Sequence, residues 1–216
     1  MSQLSTVQII AVAIIPVLFA ITLHEVAHGW TARRFGDRTA EMMGRLTINP
    51  LKHIDPIGTV VVPGIMLAVG GFIFGWAKPV PIGVRNLRNP HRDMIFVAAA
   101  GPASNLLMAI FWAFVARFVA TLGIQGDTGL YFIAMAQIGV MINVVLCVFN
   151  LLPLPPLDGG RVMAGLLPPR QAAIFERIEP YGLFIIMGLL FTGVLGRVLG
   201  PLVGLARNLV LSIAGF

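Results

Sequence analysis

From Val7 to Trp30 the chain carries no lysine or arginine. Its one acid there, Glu25, stands between two histidines in Leu23-His24-Glu25-Val26-Ala27-His28-Gly29. This is an HExxH motif inside an apolar segment long enough to cross a bilayer, whose core takes about 20 residues of helix. A helix turns every ~3.6 residues, so His24 and His28, at i and i+4, share one face. Two imidazoles a turn apart can reach one tetrahedral Zn²⁺, with Glu25 beside them to take a proton from water. The plainer reading is two core histidines and a buried acid that satisfy one another. Ionisable groups in a span are costly and mark function by default, which favours the metal.

Composition fixes the setting. The 216 residues are 57% hydrophobic and 11% charged, with a mean hydropathy of +0.90, too apolar for the surface of a soluble domain. The net charge of +6 is not a nucleic-acid footprint, because the basic residues lie beside apolar segments rather than on a polar face. The partner they imply is a lipid bilayer. A single cysteine, Cys147, excludes an internal disulfide and sits in an apolar run as a packing residue. The first eight residues are uncharged, so no cleaved leader is expected.

The expected fold is an all-α polytopic membrane protein, 1–216 forming one transmembrane domain with four to five spanning helices. Spans are read at about 7–35, 93–121, 130–152 and 181–199, with a terminal helix at 201–216 that crosses or lies in the interface. The run 57–77 is apolar but interrupted by Pro63, Gly64, Gly70 and Gly71, and has basic residues at both ends. It is read as a re-entrant element, since a full crossing would strand a basic loop on the wrong side. Arg45-Leu46-Thr47-Ile48 alternates at period two and suggests a short β segment. His53 and Asp55, between prolines in a basic loop, are read as making surface hydrogen bonds rather than binding metal. This topology places 12 of the 15 lysines and arginines on one side, which fixes that side as cytoplasmic and the N-terminus as outside.

A catalytic zinc has three protein ligands and keeps a position for water. Among nine acids, Asp158 alone follows a span and enters a segment too rich in proline and glycine for regular helix, Asn150 to Arg161. Reaching His28 requires an even number of crossings between them, which the spans 93–121 and 130–152 supply. The competing reading of Asp158 is a turn residue before Gly159-Gly160. Asn105, near Gly101-Pro102, is offered to a neighbouring helix or to the site, where it would contact substrate.

These residues resemble the site-2 proteases, zinc metalloproteases that cut substrates inside the membrane. The likeness rests on HEVAH in the first span, Asn49-Pro50, Gly101-Pro102-x-x-Asn105 and Asn150-x-x-Pro153-x-Pro155-x-Leu157-Asp158-Gly159. It implies one zinc held by His24, His28 and Asp158, Glu25 as general base, and Asn150 binding the substrate backbone or the tetrahedral intermediate. It implies single-span membrane proteins as substrates and an active site toward the cytoplasm. A short form without a PDZ or CBS domain is expected.

The chemistry is that of a zinc endopeptidase, with the β segment or the re-entrant run offering an edge to an extended substrate. The alternative is a membrane transporter or metal-handling channel using the same His and Asp residues. Glu25 discriminates, because a transporter needs no base between two of its ligands.

Overall fold

The computed structural model describes residues 4–61, 64–65 and 78–216. Helix α1 spans Thr6–Arg34 and begins in a capping box, Ser5 accepting from the Gln8 amide while Gln8 reaches back to the Ser5 amide. Arg33 and Arg34 fill its last turn, where cations suit the helix dipole. A short helix, α2, covers Thr39–Met42. Two long helices follow, α3 over Pro90–Thr121 and α4 over Gly126–Asn150. Proline at the first position of α3 costs nothing, since that amide has no helical partner. Beyond them lie α5 (Asp158–Leu166), α6 (Pro169–Glu176), α7 (Glu179–Phe191) and α8 (Val194–Ile213).

Among the described residues, four helices are long and apolar enough to cross a membrane: α1, α3, α4 and α8. Gln8 Nε2 donates to the Tyr131 hydroxyl at 2.8 Å, which sets the start of α1 beside the start of α4. The end of α1, the start of α3 and the end of α4 therefore gather at the other end of the bundle. Contact between α3 and α4 is built on Ala109, Trp112, Ala113, Ala116, Ala136, Val140 and Val144, joined by Val210 of α8 and by Ala214 at its C-cap. Gly139 admits the Trp112 ring, which a Cβ would strike. The outward side chains are large and apolar, Phe111, Phe114 and Phe118 among them, as lipid-facing positions should be.

Several expectations shift. No strand occurs among the described residues. Arg45–Ile48 is irregular, because Arg45 is drawn inward, its guanidinium donating to Lys78 O at 2.8 Å. Of the expected re-entrant run 57–77, Pro56–Val61 includes a helical turn and nearly all of the rest lies outside the described residues. His53 is buried, not at the surface, its Nε2 bonded to Thr47 O at 2.9 Å. The break in the last apolar stretch falls at Thr192–Gly193, where Gly193 takes φ +72°, and α8 runs on through Pro201. The residues expected to span at 181–199 are thus divided between α7, only 13 residues long, and α8. Arg117 donating to Gly215 O at 3.1 Å brings the end of α8 to the end of α3.

Candidate metal centre

His24 and His28 project from one face of α1, and both are buried. Asp158 arrives from α5 as its first helical residue, where a carboxylate is favoured by the amide ends of the helix. The turn that delivers it is compact. Gly159 and Gly160 press against backbone of Leu151 and of Leu154 to Pro155, which a Cβ would foul. Gly101 does the same for α3, since a Cβ there would overlap both imidazoles. These glycines let three segments converge where larger residues would hold them apart.

Three ligand atoms meet. The Nε2 atoms of His24 and His28 are 3.1 Å apart, and Asp158 Oδ2 lies 3.2 Å from the first and 3.3 Å from the second. The ring tautomers follow from the other nitrogens. His28 Nδ1 faces the Val97 carbonyl at 2.7 Å, and a carbonyl only accepts, so Nδ1 carries the proton. His24 Nδ1 faces Asn105 Oδ1 at 2.6 Å. The Asn105 amide is oriented by its own donor, which goes to Ala20 O and to Asn143 Oδ1. Asn143 is oriented in turn by donating to Gly139 O at 2.9 Å.

In the neutral rings both Nε2 atoms are then bare lone pairs, and the buried Asp158 Oδ2 has no hydrogen-bond donor. Three lone pairs facing one another without a proton repel, unless a cation stands between them. The triangle has the right size as well, since ligands about 2.0–2.1 Å from a tetrahedral zinc lie about 3.3 Å apart. Two nitrogens and a carboxylate oxygen, each neutral ring oriented by a second partner, are a donor set that fits zinc.

Glu25 is half-buried beside these ligands, and its Oε2 accepts from the Val80 amide at 2.7 Å. With His24, His28, Asp158 and Asn150 it lines a cavity of about 180 Å³. Asn150 is held by donating to Leu146 O of its own helix. Asn105 does not reach this cavity. It is fully buried and its polar atoms are engaged by His24, Ala20 and Asn143, so it orients the His24 ring instead of touching substrate. Asp55 accepts from the Ile57 and Gly58 amides and caps its own turn. Sequence reasoning missed Asn143, whose signal was an amide in the middle of an apolar span, and the backbone groups of Val97 and Val80, which leave no signal in side chains.

The model of Peptidase family M50 matches residues 12–127 and 120–193. Among curated proteins the chain is 38% identical over 204 residues to "Putative zinc metalloprotease YwhC" of Bacillus subtilis, covering 93% of this chain and 89% of that one. It is 32% identical over 198 residues to "Putative zinc metalloprotease Rip2" of Mycolicibacterium smegmatis, covering 90% and 72%. No solved structure matches the chain. With a zinc donor set and a neighbouring carboxylate inside a bundle of apolar helices, the chain belongs to peptidase family M50, as a multi-pass membrane zinc metalloprotease of the site-2 type.

Proposed function

We propose that this metalloprotease cuts peptide bonds within or near the transmembrane helices of single-span, membrane-anchored proteins, from the cytoplasmic side of the cell membrane. The observation that carries this reading is the depth of the cluster. His28 stands six residues before the end of α1, which puts the ligands on the order of 9 Å inside one end of the apolar bundle. A centre at that depth suits a bond lying in a membrane helix, yet remains close to water. Arg33, Arg34, Arg38, Arg88 and Arg92 cluster in sequence at the same end, which supports assigning it to the cytoplasm.

A zinc ion held by His24, His28 and Asp158 would supply Lewis acidity and bring the pKa of its water to about 7. The chain's own residues do the rest. Val80 fixes Oε2 of Glu25, leaving Oε1 as the oxygen that takes a proton from the attacking water. The water oxygen bonds the carbonyl carbon. The C–N bond breaks as the C=O re-forms, Glu25 passes the proton to the departing nitrogen, the new acid group gives its own proton to that amine, and a carboxylate and an ammonium result. Asn150, which lines the same cavity, would donate its remaining N–H to the substrate backbone. A substrate helix hides its carbonyls in internal hydrogen bonds, so it must unwind locally before attack.

The test is Glu25→Gln in purified protein with a transmembrane substrate in detergent. Zinc content should stay at the wild-type level while cleavage falls by at least about a hundredfold, the scale of a lost general base. Cleavage at the wild-type rate would remove the protease reading and favour transport.

A further inference from the structure

Two cavities adjoin at the metal cluster. The one that holds Glu25 and the ligands shares Pro79, Val80, Ile82, Pro156 and Arg161 with a second of about 710 Å³. Arg161 therefore stands in the wall between the reacting centre and the larger space beside it. It is the single lysine or arginine lining either cavity among the described residues. Asp158 and Arg161 are three apart on α5 and so lie on one face of that helix, one serving the cluster and the other its border. Arg161 is exposed, and no acid and no carbonyl engages its guanidinium among the described residues. Asn150, a neutral amide in the smaller cavity, spends one of its two hydrogens on Leu146 O. The charged donors at this wall are those of Arg161.

Peptide hydrolysis creates a charge that the substrate did not have. A neutral amide carbonyl becomes a carboxylate with two oxygens, and a guanidinium fork matches that geometry with two parallel hydrogen bonds. We propose that Arg161 binds the α-carboxylate left on the N-terminal fragment by the cut, holding the new chain end at the wall between the two cavities. The proposal deepens the protease reading and rests on it.

The experiment measures binding, not turnover. An N-acetylated tetrapeptide of leucine and alanine is titrated by calorimetry into the zinc-loaded full chain, once as its free acid and once as its amide. Wild type should bind the acid more tightly. In Arg161→Met that preference should shrink by about tenfold or more, the scale of a lost charge-assisted hydrogen bond, and Arg161→Lys should fall between them. Zinc's own liking for a carboxylate is common to all three proteins and cancels in the comparison. Arg161 is exposed, so truncating it leaves the packing of Asp158, Gly159 and Ala164 in place, and zinc content and melting temperature verify this. An acid preference that is absent in wild type, or unchanged in Arg161→Met at full zinc content, overturns the proposal. Failure of the protease reading would appear elsewhere, as a wild type that cleaves no more than Glu25→Gln.

Discussion

Asn105 Oδ1 sits 2.6 Å from Nδ1 of His24, across 81 residues of chain and between two different helices. That contact decides which ring nitrogen of His24 is free, and it binds α3 to the histidine-bearing face of α1. Because Asn105 is itself oriented by Ala20 and Asn143, the tautomer of one ligand depends on residues from three helices.

Replacing Asn105 by alanine should therefore weaken zinc by about 10–100-fold without removing any ligand. Competition with a chromophoric chelator measures this. An unchanged zinc affinity would show that His24 needs no orienting partner.

Gly101→Ala tests the approach of α3. The added Cβ would overlap the His28 ring and the edge of His24. Zinc affinity should fall, and stability should drop by about 1–3 kcal/mol as α3 is pushed away. Gly188→Ala, inside α7 where a Cβ meets open space, is the control and should leave zinc affinity unchanged without lowering stability. Thermal melts with and without added zinc separate the two variants.

Asp37, in the turn after α1, gives a prediction in pH. Burial by itself would raise its carboxyl, but hydrogen bonds from Thr39, Asn86 and Gly83 outweigh it and hold the group below the ordinary carboxylate range. A group depressed in the folded state stabilises above its unfolded pKa of about 3.9, and that contribution is lost as pH falls through the folded value. Asp37→Asn should thus destabilise at neutral pH and show a flatter loss of stability on acidification below about pH 4. Melting curves of both proteins between pH 7 and pH 3 would show the gap closing. A constant gap would contradict this role.

Much of the site was legible because its rules are local or countable. His24 and His28 are fixed by helical spacing, and Asp158 by the parity of crossings between it and His28. The apolar runs that became α3 and α4 were legible from hydropathy, with ends off by a few residues (93–121 against Pro90–Thr121, 130–152 against Gly126–Asn150). The last apolar stretch was misjudged because Pro201 looked like a break. A helix absorbs a proline at the loss of one amide bond, whereas the left-handed Gly193 ends one outright. His53 was misplaced because polarity suggested surface, while the Thr47 carbonyl takes its Nε2 inside. The Val80 amide that fixes Glu25 is a backbone group brought from 55 residues away, and no residue type announces it.

X-ray absorption at the zinc edge of the purified chain tests the centre most directly. The arrangement of His24, His28 and Asp158 predicts a shell of nitrogen and oxygen only, with two imidazole signatures at about 2.0–2.1 Å, and one light scatterer fewer in Asp158→Ala. A sulfur scatterer, or a spectrum that Asp158→Ala leaves untouched, would contradict it.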